Sequence, residues 1–416
     1  MVPPKGRVAS DGLVHLDTAK PGGHPAPLSQ IAPKILLYSH DTCGLGNIRR
    51  TLLLSEALIA QYSRAMVLIV TGSPMVHAFR IPERTDYIKL PCLDRTSADR
   101  YAPTFLGAHD AEVAAIRRGV LRKAVLGFGP DLVIIDKRPS GVGGELLDTL
   151  RALRARPMPP RLVVGIRDIL DAPATTRASL RRTGDLTTIL RYYDEVWIYG
   201  ERSIFDPTVE YDFPPAVARK TRFCGYLKRP TIARTPATGA PRVLVTTGGG
   251  ADGAELIQSY LAGLLALPRS VALQTTVVLG PQMSSQDRAA ILDQYGALAD
   301  VRFVDFEPDL TPRYADADVV VSMAGYNTVC ELLSFDLRAV LVPRANPVEE
   351  QLLRARLFAA RGVFDYLEPE ERDPRILMSR VLAALARPSP SAAAVDLDGL
   401  PRVRARVEAL LQGVAA

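Results

Sequence analysis

Three glycine-rich segments stand where a short apolar run gives way to a helical pattern: DTCGLGNIRR, TTGGGADGAEL and SMAGYNTVCELL. Glycine lets a ligand approach the main chain closely, and the amides at a helix N-terminus attract anions. These segments therefore suit a phosphate-bearing ligand, although tight packing explains the glycines of the first segment equally well. The candidate glycines are Gly44, Gly46, Gly248, Gly249, Gly250 and Gly325.

The second segment also matches the dinucleotide fingerprint G-x-G-x-x-G, through Gly248, Gly250 and Gly253. That fingerprint requires an acidic residue about 20 residues further on, at the end of the next strand, to bind a ribose. The corresponding strand TTVVLGPQ instead ends in Gly280 and Pro281. An NAD-dependent dehydrogenase is therefore an alternative that the sequence does not favour.

The third segment places polar side chains around the start of a helix. Ser322, Gly325, Asn327 and Thr328 open this helix, and Glu331 lies one turn inside it. A carboxylate at that position can accept hydrogen bonds from both hydroxyls of a ribose. The alternative is that Glu331 only stabilises the helix start through its charge.

A fourth polar segment, PRANPVEEQLL, follows the next apolar strand. Glu350 and Gln351 begin a helix there and are suited to binding sugar hydroxyls, while Arg344 is suited to a phosphate. A first helical turn in contact with solvent explains the same residues.

The elements that position these segments are short β-branched strands alternating with longer helices, which predicts parallel α/β sheets. Ligands of such sheets bind at the carboxyl ends of the strands. The pattern occurs twice, so we predict two Rossmann-like, doubly wound domains that face a cleft. The predicted parts are a flexible leader (1–33), an acceptor-side domain (34–227), a linker (228–241), a nucleotide-sugar domain (242–385) and a C-terminal tail and helix that packs back across the boundary (386–416).

Composition narrows the class of protein. The net charge is +6 without a basic tail, which favours a phosphate-bearing small substrate and argues against a nucleic-acid partner. The four cysteines form no CxxC pair, so we expect no disulfide framework and no bound metal. No apolar run approaches the ~20 residues of a membrane span, and the first residues do not suit secretion. We therefore expect a cytoplasmic protein, with peripheral contact to anionic lipid left open.

Taken together, the motifs resemble glycosyltransferases related to the N-acetylglucosaminyltransferase that makes the peptidoglycan lipid intermediate, and most closely a bacterial group of predicted glycosyltransferases. The resemblance runs from about Lys34 to about Val363. It implies the two-domain GT-B fold, a nucleotide-sugar donor that is usually a uridine diphosphate sugar, and inverting transfer with no cofactor or metal. The segments that carry it are YSHDTCGLGNIRRTLLLSEAL, DKRPSGVGGEL, GIRDILDAP, YYDEVWIYGERSIFD, FCGYLKR and SMAGYNTVCELLSF.

The resemblance also implies roles for individual donor-side residues. Glu331 would hold the ribose, and Glu350 with Gln351 would hold the donor sugar. The remaining implied contacts are Gly248, Gly249 and Gly250 with the diphosphate, Phe306 and Leu310 with the base, and Ser322, Gly325, Asn327 and Thr328 as the second phosphate turn.

The catalytic base is where this chain departs from the family, which usually places a histidine directly after the first glycine turn. Asn47 occupies that position, and an amide does not accept a proton at neutral pH. Three hypotheses remain open: His40 or Asp41 is the base, the acceptor is already ionised or amine-like, or the chain only binds its ligand. An ordinary strand-end histidine is the alternative for His40.

The acceptor itself stays unidentified, as a small molecule, a natural product or a lipid. We place five further residues on the acceptor side, with buried ion pairing as the competing explanation: Asp136, Lys137, Glu145, Arg167 and Asp168. A nucleotide-sugar 2-epimerase on the same fold and a non-catalytic binding protein are the alternative functions.

Overall fold

The computed structural model describes residues 32–40, 45–96, 100–107, 109–235, 239–371, 373–389 and 395–413. Most of the predicted leader, together with Asp41 and Gly44, lies outside the described residues. The rest forms two parallel-sheet α/β domains, which confirms the predicted fold class. None of the helices in this part of the chain has the length and hydropathy to cross a bilayer.

The first domain is built on a parallel sheet of seven strands in the order β3-β2-β1-β6-β7-β8-β9. A separate antiparallel pair, β4-β5, lies outside this sheet. The strands are β1 (Lys34–Ser39), β2 (Met66–Thr71), β3 (Thr85–Lys89), β4 (Leu93–Arg95), β5 (Tyr101–Pro103), β6 (Leu132–Asp136), β7 (Arg161–Arg167), β8 (Glu195–Tyr199) and β9 (Thr221–Phe223).

Seven helices connect these strands. They are α1 (Gly46–Gln61), α2 (Asp110–Phe128), α3 (Leu147–Arg154), α4 (Pro173–Thr183), α5 (Asp185–Tyr192), α6 (Pro207–Glu210) and α7 (Pro215–Ala218). The central strands are buried along their length because helices cover both faces of the sheet, as the continuous apolar runs predict.

The second domain has a parallel sheet of six strands in the order β12-β11-β10-β13-β14-β15. The strands are β10 (Arg242–Thr246), β11 (Gln274–Val278), β12 (Val301–Val304), β13 (Val319–Ser322), β14 (Arg338–Leu341) and β15 (Asp365–Tyr366). The helices are α8 (Ala254–Leu265), α9 (Ser285–Tyr295), α10 (Thr311–Asp316), α11 (Tyr326–Ser334), α12 (Glu350–Ala359), α13 (Pro374–Ala386) and α14 (Gly399–Gln412).

Strand order reverses once in each sheet, between β1 and β6 in the first and between β10 and β13 in the second. A crevice opens at the carboxyl ends of the strands where such a reversal occurs. All three glycine-rich segments follow strands at these reversals, namely β1, β10 and β13. The topology therefore directs all three segments to crevices suited to a ligand.

The last helix, α14, returns to the first domain. Its Arg406 pairs with Glu195 at the start of β8, and the Arg161 guanidinium donates to the Leu410 carbonyl at 3.0 Å. Just before this helix, the Asp396 carbonyl accepts the Tyr226 amide at 2.8 Å. The chain thus crosses between the domains twice. The exact domain bounds remain a prediction.

Candidate active site

A cleft of about 1220 Å³ lies between the two domains, at the carboxyl ends of their sheets. It brings together most of the residues singled out from the sequence. Those that line it are Gly46, Asn47, Gly248, Gly249, Gly250, Phe306, Leu310, Gly325, Asn327, Thr328, Arg344, Glu350 and Gln351.

The glycine turn after β10 owes its glycines to two different requirements. A Cβ on Gly250 would lie 2.4 Å from the Leu279 carbonyl oxygen, and one on Gly253 would lie 2.3 Å from the Thr247 Cβ. Close packing therefore excludes side chains at both positions. Gly248 differs, because its φ of +67° favours glycine but a Cβ there would meet no atom within 4 Å. Its main chain is accessible to a ligand in the cleft.

The N-terminus of α11 also faces the cleft. The capping position is Gly325, no side chain caps the helix, and its first turn contains no acidic residue. The amides of this turn are therefore suited to an anion, with the helix dipole adding to the attraction. Ser322 lies at the end of β13, is fully buried and does not line the cleft.

Asn327 and Glu331, both on α11, contact the first domain. The Asn327 side chain donates to the Gly46 carbonyl at 2.8 Å and accepts from the Arg229 guanidinium at 2.5 Å. Glu331 is 4% exposed, pairs with Arg49 of α1 and accepts the Tyr314 hydroxyl at 2.9 Å. Both side chains therefore already have partners within the protein.

Burial and the adjacent Glu331 carboxylate raise the pKa of Tyr314 well above its ordinary value. Its phenol therefore stays protonated over the physiological range and keeps donating to Glu331. The phenol orients the carboxylate from one side, while Arg49 contacts it from the other.

The start of α12 carries the residues predicted to hold the sugar. Glu350 pairs with Arg167, the last residue of β7 in the first domain. The Gln351 side chain accepts the Arg344 amide at 3.3 Å, and the Arg344 guanidinium pairs with Asp252. Burial alone would raise the pKa of Glu350, but the Arg167 guanidinium and further cations hold it below the usual value. Glu350 is therefore a carboxylate at neutral pH.

Asn47 lies at the cleft, in the first turn of α1, and its amide oxygen accepts the Arg50 guanidinium at 3.0 Å. Arg50 in turn makes a buried two-point contact with Asp136 at the end of β6, with both closest distances 2.7 Å. This arrangement fixes the Asn47 amide and provides no proton acceptor.

His40 does not line the cleft. It is 3% exposed at the end of β1, and its Nδ1 has no hydrogen-bond partner within the described part of the chain. Burial, reinforced by Lys137 and Arg138, lowers the pKa of His40 well below 6.5. The imidazole is therefore neutral at pH 7. Its assignment as the base stays a prediction, as does that of Asp41, which the structure does not describe.

Sequence reasoning missed a set of arginines that joins the two domains. Arg354 of α12 contacts Asp168, after β7, through two hydrogen bonds of 2.7 and 2.9 Å, and both residues are fully buried. Arg49, at the wall of the cleft, pairs with the buried Glu331 of α11, which does not line the cleft. The sequence offered two signals: the doubled arginine after the first glycine turn, Arg49 and Arg50, and Arg167 in GIRD. Neither motif shows which acidic residue its arginines pair with.

The aromatic residue Phe79 was also missed. It lines the cleft from the first domain and packs edge-on against Phe306, with ring centroids 6.3 Å apart. The two rings and Leu310 form an apolar end of the cleft that suits a nucleobase. Among the described residues, no three His, Cys, Asp or Glu side chains are grouped to hold a metal ion.

Comparison with known proteins adds family information. Residues 242–396 match the glycosyltransferase family 28 C-terminal domain. Two relatives are named UDP-N-acetylglucosamine--N-acetylmuramyl-(pentapeptide) pyrophosphoryl-undecaprenol N-acetylglucosamine transferase. The one from Agrobacterium fabrum is 27% identical over 49% of this chain and 57% of its own length. The one from Anaeromyxobacter sp. is 26% identical over 69% and 81%, respectively.

A solved structure shares the whole fold. The crystal structure of CalG4, the calicheamicin glycosyltransferase, matches with a TM-score of 0.58 at 18% identity. The match covers 92% of this chain and 100% of that protein. The likeness therefore extends over both domains and the cleft between them.

Proposed function

We propose that this chain, a glycosyltransferase of the GT-B fold with a family 28 C-terminal domain, transfers a sugar from a uridine diphosphate sugar to an acceptor bound by its first domain. We further propose that the transfer inverts the anomeric centre and requires no bound metal. The donor is then a substrate, and no separate cofactor takes part.

The observation that carries this proposal is the composition of the cleft. It presents the uncapped N-terminus of α11 and the open turn at Gly248. Four arginines line the same space, namely Arg49, Arg50, Arg167 and Arg344. Helix amides and guanidinium groups are suited to the negative charge that develops on a departing diphosphate. At the far end, Phe79 and Phe306 suit the base.

The identity of the nucleotide rests on the relatives. Both transferases described above are named for UDP-N-acetylglucosamine, which favours uridine diphosphate as the carrier. Glu331 is suited to the ribose hydroxyls because Tyr314 already orients its carboxylate. Donor binding would then move Arg49 from Glu331 towards the diphosphate.

In the proposed reaction the acceptor oxygen attacks the anomeric carbon from the side opposite the diphosphate. The bond from that carbon to the diphosphate oxygen breaks, and the electron pair leaves with the nucleoside diphosphate. Fixed dipoles and arginines stabilise that charge without reorganisation during the step. Glu350 and Gln351, at the start of α12, would orient the sugar through its hydroxyls.

The alternatives lack comparable support. The relatives named above are transferases, which does not favour an epimerase or a non-catalytic binding protein. A dehydrogenase needs an acid after the second strand of the nucleotide-binding unit, whereas β11 ends at Val278 and leads into Gly280 and Pro281.

Calorimetric titration with uridine, adenosine, guanosine and thymidine diphosphates tests the donor assignment. We expect uridine diphosphate to bind most tightly, with affinity unchanged by a chelator of divalent metals. Binding of none of the four would reject the donor site. Formation of an isomerised sugar nucleotide from donor alone would identify an epimerase instead.

A further inference from the structure

A second cavity, which we call the side pocket, lies in the first domain where β6 and β7 end and where α4 and α5 cover the sheet. It is open on one side, and its volume is about 690 Å³ when the open solvent at its mouth is included. One end carries the basic side chains Arg95, Lys137 and Arg138. The rest of its wall is mainly apolar, and the apolar residues include Ile166, Leu170, Leu180, Leu186, Ile189 and Phe213.

Lys137 is the charge in this pocket that lacks a partner. Its ammonium makes no hydrogen bond or ion pair with the residues that the structure describes. Both acids of the pocket are already engaged, since Asp185 accepts the Ser140 hydroxyl at 2.9 Å and Asp171 accepts the Glu349 amide at 3.0 Å. A half-buried ammonium without a counter-ion is costly and suits an anionic ligand.

The backbone of Lys137 is held in an unfavourable conformation. Its φ of +66° lies in the left-handed region, which is unfavourable for a residue with a side chain. Hydrogen bonds keep the turn in place, because the Lys137 amide donates to the Gly165 carbonyl at 2.8 Å. Strain of this kind tends to persist at ligand sites, where it directs a side chain.

The charges around Lys137 also favour an anionic ligand. Burial lowers its pKa well below the ordinary value, and the Arg167 guanidinium lowers it further, while Glu350 acts in the opposite sense. The lowered pKa means that the charged ammonium is disfavoured by its surroundings, and an anion bound beside Lys137 would offset the repulsion from the neighbouring arginines and stabilise the ammonium.

The side pocket adjoins the sugar end of the cleft. Arg167 and Glu350, which act electrostatically on Lys137, both line the cleft. Val348, two residues before Glu350, lines the side pocket from the second domain. A molecule in the side pocket would thus place a group near Lys137 close to the donor sugar.

The described part of the cleft provides no free base. Asn47 does not accept a proton, and no histidine lines the described part of the cleft. Each carboxylate there is paired with an arginine: Asp252 with Arg344, Glu307 with Arg313 and Glu350 with Arg167.

We propose that the acceptor is a small amphiphilic acid, whose apolar body fills the side pocket and whose ionised oxygen pairs with Lys137 and attacks the sugar. This inference rests on the proposed function. The carboxylate or phosphate oxygen forms the bond to the anomeric carbon, and the bond from that carbon to the diphosphate breaks with its electron pair. The acceptor loses no proton, so the step needs no base.

Three probes of similar shape test the binding claim: 1-naphthoate, 1-naphthyl phosphate and the neutral 1-naphthylmethanol, titrated calorimetrically in the presence of uridine diphosphate. We expect at least one of the anions to bind about tenfold or more tightly than the alcohol, the effect of one charge-assisted contact. Lys137→Met should remove that preference, and Lys137→Arg should retain most of it.

Two further variants separate a ligand effect from a folding effect. Thr175→Trp, at the exposed edge of the side pocket, should block all three probes. Lys123→Met removes an exposed charge on α2 and should change none of the affinities. Equal affinity for anions and alcohol, or an unchanged preference in Lys137→Met, would overturn the inference. If the wild-type protein does not bind uridine diphosphate at all, the donor site itself is rejected.

The reaction is tested with the same probes and the sugar donors that the protein binds. Transfer to naphthoate should give a glycosyl ester that hydroxylamine cleaves, and transfer to naphthyl phosphate a product that resists hydroxylamine. Either product supports the ionised nucleophile and tells the two acids apart. Transfer to naphthylmethanol alone, or to none of the three, would refute it.

Discussion

The Arg49 guanidinium of α1, which lines the cleft, pairs with the buried Glu331 carboxylate of α11 and so joins the two domains. Glu331 is the residue that the family resemblance assigns to the ribose, and in the structure its carboxylate is held in this ion pair. If the donor binds as proposed, this pair would couple its binding to the contact between the domains. Arg49 would then be released beside the diphosphate.

This relationship makes the role of Glu331 testable. Glu331→Gln should weaken uridine diphosphate binding about 10- to 100-fold, because hydrogen bonds to a charged group contribute about 1.5–3 kcal/mol. The same variant should leave the affinity for 2′,3′-dideoxyuridine diphosphate nearly unchanged. Calorimetry on both ligands measures the difference. An equal loss for both would mean that Glu331 acts through the domain contact and not through the ribose.

The buried pair between Asp168 and Arg354 should dominate the stability of the domain contact. Arg354→Met leaves a buried carboxylate unpaired, and we expect a loss of about 3–5 kcal/mol in the free energy of unfolding. The matched control is Arg151→Met, which breaks an exposed pair with Asp148 and should cost less than about 1 kcal/mol. Urea unfolding measures both. Similar losses in the two variants would contradict the role given to the buried pair.

Gly248 should be needed for the ligand beyond its effect on folding. Gly248→Ala and Gly184→Ala place a methyl group at the same φ of +67° with no atom within 4 Å, so each should cost about 1–2 kcal/mol of stability. Only the first lies in the cleft, and only there should uridine diphosphate affinity also fall. If both variants keep full affinity, the Gly248 main chain does not contact the diphosphate.

His40 should make the protein sensitive to mild acid. Its pKa is lowered in the folded protein, so below about pH 6.5 the unfolded chain binds a proton that the folded chain does not. Stability should therefore decrease as the pH falls from 6.5 towards 5, by up to about 1.4 kcal/mol per unit from this group.

Urea unfolding at several pH values checks this expectation. His40→Asn should flatten the decrease, whereas His77→Asn, which replaces an exposed histidine, should leave it unchanged. An unaltered slope in His40→Asn would assign the acid sensitivity to other groups.

The sequence alone determined the two doubly wound domains and most of the residues that line the cleft from the second domain. Strand and helix periodicity are local properties, and so is the φ of +90° at Gly250, although the Leu279 carbonyl that excludes a side chain there comes from the next strand segment. Glycine-rich segments that follow strands must lie at the carboxyl edge of a parallel sheet. For this reason the sequence places Gly248 and Gly325 at the cleft. Glu350 follows from the same rule, because its segment also comes after a parallel strand, β14.

Tertiary structure alone decided which charges meet. Arg49 and Glu331 are 282 residues apart, and Asp168 and Arg354 are 186 apart, so no spacing in the sequence joins either pair. The tertiary structure also places His40 outside the lining of the cleft, and it leaves the Lys137 ammonium without a hydrogen-bond or ion-pair partner among the described residues. Ion pairing depends on the packing of two domains against each other, because a charge interacts strongly only with groups a few ångströms away.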